Sequence, residues 1–453
     1  MSVSLPSRAA CLLFAFAAIC AAADTSQVIT FDGALDIALE RNADLLQAQV
    51  TASLSDVAVS TARMAFVPTL TLDTAGARNI GRSFDQTQGV VLSQTTNSAT
   101  LGATSGLTLF DGLRDVSTLR QAKFSRTASH LDLSRARETL VFTVASNFLS
   151  LMQRQELLDV LRDNLAGEAN LAQQIKQYVE AGTREAAVLY QQEANVAAAR
   201  LAVVQTQADV DSAQVDLMRT LQLDPAGTYE FRFPETEKGQ GGPDANLADL
   251  LKQALEQRAD LKAEAARLSA AEQGLKIAHG EFWPTLFLNA GYSGAYSSAS
   301  EVNFKDQIDQ QRGGALTLDL SIPVFDRGAA RNDSRNARLK LRSERITFDT
   351  LREEVGLQVR EAYQEYRSAR EQLATAEAQK KAAERAVETA QERFKSGVTS
   401  LVEVTQARAV HIQAASALVA ARANWQLQRI SLEYFLGHIG RRNLAGGETA
   451  PAE

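Results

Sequence analysis

The sequence predicts an α+β membrane protein made of duplicated halves, with two β-hairpins per chain and long α-helical coiled-coil hairpins. Three observations predict it. Motifs of the first half return in the second at a fixed spacing. Each half holds stretches whose apolar residues alternate with polar ones, as in a half-buried strand. Each such stretch is followed by a proline-free run long enough, at 1.5 Å per residue, for a helix on the order of 100 Å.

Residues 1–23 open the chain with one cation, Arg8, then an apolar Ala/Leu/Phe run that ends at Ala21-Ala22-Ala23. This is the build of a secretory signal, too short and wrongly flanked for a membrane anchor, and cleavage is expected between Ala23 and Asp24. Cys20 follows Ile19, so it lacks the small residue that precedes a lipid-modified cysteine. Both cysteines, Cys11 and Cys20, leave with the signal, which excludes a disulfide framework and a thiolate metal site. The chain carries 47 Lys and Arg against 54 Asp and Glu, a charge of −7 that becomes −8 without Arg8. That acidity argues against nucleic acid and gives any pore a weak preference for cationic cargo. Beyond residue 23 no apolar stretch has helix-spanning length, so a membrane would be crossed by strands.

Ala38-Leu39-Glu40 and Ala43-Asp44-Leu45 recur as Ala254-Leu255-Glu256 and Ala259-Asp260-Leu261, an offset of 216. Phe66-Val67-Pro68-Thr69-Leu70 recurs as Phe282-Trp283-Pro284-Thr285-Leu286 at the same offset. With one residue lost, Phe110-Asp111 maps to Phe325-Asp326, Arg120 to Arg335 and Gly182 to Gly397. The repeats are residues 24–223 and 247–437. Between them, 224–246 reads as a Pro/Gly-rich linker with a short extended piece at 229–233, and 438–453 as a disordered polar tail.

Each half is expected to run helix, two strands, very long helix, turn, long helix. The first helix should end at Pro68 or Pro284, because proline bars the residue before it from the α region. The hairpins occupy about 68–110 and 284–323, with polar loops at 82–98 and 297–312. In the last strand Leu316, Leu318, Leu320 and Ile322 fall on one face, assigned to lipid, and Thr317, Asp319 and Ser321 on the other. Leu101, Ala103, Leu107 and Leu109 form a similar face, as do Leu286, Leu288, Tyr292 and Tyr296, while Leu70 and Leu72 begin a fourth. Each long helix ends at a glycine, Gly182 or Gly397, where a left-handed residue closes a tight helical hairpin. Tyr178 and Phe394, just before these glycines, are expected to pack within the hairpin. Four strands cannot close a membrane barrel, since single-chain barrels begin at eight. Copies of the chain must therefore share one.

The repeat, the Phe66/Phe282 and Pro68/Pro284 elements, the stretch Pro323-Val324-Phe325-Asp326-Arg327-Gly328 and the tip Phe394-Lys395-Ser396-Gly397-Val398-Thr399-Ser400-Leu401-Val402-Glu403 resemble the TolC-like outer membrane efflux protein family. The resemblance covers about residues 28–440. It implies a homotrimer with a twelve-stranded β-barrel among outer-membrane lipid, continued into the periplasm by a twelve-helix tunnel. It also implies the exit duct of a tripartite efflux or type I secretion system. Such a duct is a passive conduit, opened at its periplasmic tip by an adaptor (a membrane fusion protein) and an inner-membrane pump, proton-driven or ABC. By resemblance Gly182, Thr183, Arg184, Gly397, Val398 and Thr399 are the adaptor-docking positions. Glu403 and Gln406 are the candidates for the periplasmic constriction, although relatives carry a second acid where this chain has Gln406, and Val188 matches Glu403 in the first half. The Ser400-to-Glu403 spacing equally makes a capping box for the returning helix, which is the favoured reason for Glu403.

His130, His279, His411 and His438 are scattered without partners at metal-ligand spacing. No phosphate loop and no nucleophilic triad is present, so no enzyme activity, metal or cofactor is expected. The alternative is a periplasmic coiled-coil adaptor or scaffold protein of an export complex. It would need β-rich domains flanking one hairpin rather than two equal halves with amphipathic strands.

Overall fold

A computed structural model describes residues 27–85, 89–93, 95–232 and 246–439. The expected signal with its Ala23/Asp24 site, much of the linker and the tail beyond 439 lie outside the described residues.

The first half contains β1 (Gln27–Thr30), α1 (Phe31–Arg41), α2 (Ala43–Met64), β2 (Thr69–Asn79), β3 (Arg82–Asp85), β4 (Val90–Ser93), β5 (Thr96–Phe110), α3 (Arg114–Glu180) and α4 (Ala186–Leu221). After β6 (Tyr229–Arg232) the second half contains α5 (Leu247–Gln257), α6 (Ala259–Gly280), β7 (Thr285–Ser297), α7 (Phe304–Gln310), β8 (Gly313–Ser321), α8 (Ala329–Lys395) and α9 (Leu401–Leu436). The long helices α3 and α8 have 67 residues each, and the returning helices α4 and α9 have 36 each. No described helix is long and apolar enough to cross a membrane.

Three local expectations are corrected. The opening helix of each half is two helices, broken at Asn42 and Arg258, which have extended ψ of 124° and 127°. Asn42 caps α2 by accepting from the N–H groups of Asp44 and Leu45 at 3.1 Å. Arg258 has no such role. Its side chain is buried, forks onto Asp260 at 3.0 and 2.6 Å, and donates to Gln358 Oε1 at 2.8 Å. Secondly, α2 and α6 stop a turn short of their prolines, at Met64 and Gly280. Thirdly, the polar loops are partly structured: β3 and β4 form a separate ribbon in the first, and α7 lies in the second.

The main sheet has the order β2-β5-β7-β8 and is antiparallel throughout. The two hairpins therefore join through β5 and β7, and β2 and β8 are left as edges. At the strand-to-helix junctions two successive left-handed residues turn the chain: Gly112-Leu113 in the first half and Arg327-Gly328 in the second. Asp111 accepts from the N–H groups of Arg114 and Asp115, and Asp326 from those of Gly328 and Ala330. Gly112 is also tightly enclosed, because a Cβ there would collide with the Gly280 carbonyl.

The largest core lies where α1, α3, α4 and α9 meet the parallel pair of β1 and β6. Phe148 of α3 packs edge-on against Phe31 and Phe231, at 5.5 and 5.9 Å. A second core joins α5 to α8 and α9 around Val355, Val359 and Leu436. Two charged side chains tie these parts together. Arg135 of α3 lies 3.9 Å over the Tyr434 ring of α9 and 3.7 Å from Asp260 of α6. Burial alone would raise the Asp260 carboxyl, but the hydrogen bonds and charge of Arg258, with Arg135 behind it, hold it below its ordinary value.

Candidate functional site

The duct expected from the sequence would need one face for lipid, another for cargo and an end for its partners. The register of the sheet separates an apolar face from a polar one. Leu286, Leu288 and Ala290 of β7 stand opposite Leu320, Leu318 and Leu316 of β8. Across the other ladder Leu288 faces Leu107, and Leu70 and Leu72 of β2 face Ser105 and Ala103. All four apolar strand faces thus fall on one side of the sheet, where Leu70, Leu72, Leu316, Leu318, Leu320 and Ile322 are all exposed. The opposite side carries Thr71, Asp73, Thr104, Asn289, Thr317 and Asp319, with Asn289 donating to Asp319 at 2.9 Å.

The two helical hairpins end side by side. At the first tip Gly182 has φ of 71°, its N–H donates to the Val179 carbonyl, and Thr183 N–H donates to the Tyr178 carbonyl. At the second Gly397 has φ of 74°, with the same bonds from Gly397 to Phe394 and from Val398 to Arg393. Both are the Schellman ending expected of a left-handed glycine. Phe394 is buried with Leu171, Ile175, Leu401 and Val404, and the Arg184 guanidinium sits 4.8 Å from its ring centroid. The tips are thus packed together by a residue from each. Tyr178, expected to pack, is instead 38% exposed, and Val398 and Val402 stand in solvent at 68% and 76%.

The capping box at Ser400 is not formed: Ser400 occupies the N-cap position of α9, but its side chain makes no cap hydrogen bond. The Glu403 carboxylate instead receives Arg393 Nη1 at 2.6 Å and the Thr399 hydroxyl. It is a clamp across the hairpin tip, between α8 and α9. Gln406 lies exposed one turn further along, and Val188 packs against the tip core.

One link was not read from the sequence. Glu168 of α3 is buried, pairs with Arg408 Nε of α9 at 2.9 Å, and has its backbone carbonyl bonded to Gln192 of α4 at 3.0 Å. Gly167 lies under the Arg408 guanidinium, where a Cβ would clash. A glycine inside a long helix was the only local signal of this crossing. Of the histidines, His130 lies 3.3 Å from Asp56, and burial lowers the pKa of His438. Among the described residues no acid, His and Cys group is arranged to hold a metal.

Residues 34–221 and 250–438 match the family described as outer membrane efflux protein. The chain belongs to that family. Similar proteins include Protein CyaE of Bordetella pertussis, 27% identical over 248 residues, which are 55% of this chain and 51% of CyaE. Pyoverdine export outer membrane protein OpmQ of Pseudomonas putida is 27% identical over 267 residues, 57% of this chain and 50% of OpmQ. The chain spans about half the length of the curated relatives it matches. Among solved structures, CusC superposes with a TM-score of 0.78 at 17% identity, covering 90% of this chain and 92% of CusC. The outer membrane protein VceC of Vibrio cholerae gives 0.77 at 16%, covering 90% and 96%. At such identities the likeness speaks for the fold. This outer membrane efflux protein therefore sits in the outer membrane, with its helices extending into the periplasm.

Proposed function

We propose that the protein is the exit duct of a tripartite efflux or type I secretion system, assembled as a homotrimer. The observation that carries this is the pair of open sheet edges, β2 and β8, on a sheet that is apolar on one face. Because the halves are repeats, each contact from first half to second needs a counterpart from second half to first. Within the chain β5 pairs with β7 and α3 packs on α6 and α9. The counterparts would bring β8 against β2, and α8 against α2 and α4, of the next copy. The helices that would meet there carry exposed apolar side chains, Val50, Leu54 and Val57 on α2 and Leu339, Ile346 and Leu357 on α8. The strands alternate in direction, so the new edge pair would also be antiparallel. A ring of this kind has no free edge, as lipid requires.

The duct supplies passage and no energy. An inner-membrane pump would supply that through a periplasmic adaptor docking at Gly182, Thr183, Arg184, Gly397, Val398 and Thr399, where Val398 offers exposed apolar surface. Glu403, with Gln406 beside it, lines the narrow end. Cargo is either a small molecule or a protein. Light scattering in detergent tests the assembly: a trimer is expected, and a stable native monomer would end this reading. In planar bilayers the trimer should conduct ions.

A further inference from the structure

The lipid-facing side of the sheet has a hollow at the end remote from the long helices. The helix α7 roofs it. Ile308 packs on Gly294, where a Cβ would lie 3.2 Å from its Cγ2, and Gly294 shares its face with Leu101 across the β5–β7 ladder. Gln307, 1% exposed, bolts the helix down: its amide donates to the Ser297 carbonyl at 3.0 Å and accepts from Ser297 N–H at 2.8 Å. Between α7 and the strands is a pocket of about 640 Å³, with Leu72, Leu101, Ala103 and Tyr292 on its floor and Lys305 and Arg312 at its rim.

The floor belongs to the apolar face that the duct reading sets against hydrocarbon, and the inference rests on that reading. A void there would forfeit dispersion contacts, and of the floor side chains Leu72, Leu101, Ala103 and Tyr292 only the Tyr292 hydroxyl could hold a water. A lipid chain is the filling the surroundings supply. The rim adds polarity. Arg312 is closed on Asp309 at 2.9 Å, and Asp306 accepts from the Asn303 amide at 2.6 Å. Lys305 is exposed and forms no ion pair among the described residues, so its ammonium is available to an external anion. With the helices in the periplasm, this end of the barrel lies in the outer leaflet, where sugar-borne phosphates and hydroxyls meet the protein.

We propose that the pocket under α7 holds an acyl chain of a phosphorylated glycolipid of the outer leaflet, with a phosphate on Lys305 and sugar hydroxyls toward Asp306 and Asp309. The glycolipid is favoured over a simple phospholipid because the rim presents two carboxylates beside its cations, which hydroxyl donors satisfy without disturbing the Arg312–Asp309 pair.

Native mass spectrometry of the full-length assembly in detergent tests this, with bis-phosphorylated lipid A, its dephosphorylated form and phosphatidylethanolamine as probes. Lipid A should be retained through gas-phase activation, with the other two held about tenfold less. Lys305→Glu should lose that preference, and Ala103→Phe, which fills the floor, should lose retention of all three. Equal retention by wild type and both variants, or phosphatidylethanolamine held as well as lipid A, would overturn the assignment. A trimer that retains no lipid A overturns it while leaving the duct standing. Absence of a trimer instead fails the duct reading, and the lipid pocket falls with it.

Discussion

Four residues in the left-handed region end the helices that flank the two hairpins, and three are glycine. Gly182, Gly397 and Gly437 adopt it without penalty, whereas Gln222, the first-half counterpart of Gly437, is held at φ of 53°. Leu223 N–H still reaches the Met218 carbonyl at 3.0 Å, so the ending forms despite the side chain. A Cβ in this region costs about 1–2 kcal/mol, and part of the relief that glycine brings is offset by the greater freedom it gives the unfolded chain. Gln222→Gly should therefore stabilise the protein by about 0.5–1 kcal/mol in chemical denaturation, and an unchanged or lower midpoint would contradict the strain argument. At the tip the strain is local, because a Cβ on Gly397 meets nothing within 4 Å. Gly397→Val should leave trimers in the outer membrane while export falls, read by cargo accumulation against a native-gel control. Glu403→Gln strips Arg393 of its counter-charge at the hairpin tip. Cation preference in planar bilayers should drop, and if it holds steady Glu403 does not line the pore.

Strand β8 tests the assignment of faces at the scale of one element. Leu318 lies mid-strand in the apolar row, so Leu318→Arg should cost about 2–4 kcal/mol per copy at the bilayer midplane and block membrane assembly. Thr317→Arg, on the opposite face, should assemble and alter conductance. Equal tolerance of the two would mean that the facing has been misread. The alternation of β8 was legible because its apolar row has no interruption. The ribbon of β3 and β4 was not, since a four-residue strand inside a polar loop offers too few repeats for a period to show. The breaks at Asn42 and Arg258 were missed for a different reason. Neither is proline or glycine, and the Arg258 bend is held by Asp260 and Gln358, the latter from another helix.

The whole molecule is joined at its waist by charge as well as by apolar packing. Asp260 sits between Arg258 and Arg135 and so links α3, α6 and, through Gln358, α8. Asp260→Ala would leave the Arg258 guanidinium buried and unpaired, a loss of about 3–5 kcal/mol in unfolding free energy. The depressed Asp260 carboxyl also sets a pH limb. Its contribution is complete above the unfolded value of 3.8 and is lost as pH falls through the lower folded value. Asp260→Asn should flatten this acid limb in melting curves taken across that range, while wild type and variant that lose stability in parallel would place the acid sensitivity elsewhere.

Duplication, the two strand faces and the glycine tips were written into the sequence, because each depends on residues a few positions apart or on a constant spacing between halves. That is why the fold class and the position of the tips could be read directly. The tertiary structure alone decided the partners of individual side chains. Glu403 has the spacing of a cap, yet its carboxylate turns to Arg393 on the opposing helix, because a guanidinium within reach offers a charged donor where the N-cap offers a neutral one. Glu168 and Arg408 are 240 positions apart and meet only because α3 packs on α9. The order of the hairpins within the sheet is of the same kind. Either strand of the second hairpin could have joined β5 by its alternation alone, and the packing of α3 on α6 brings β7 to it.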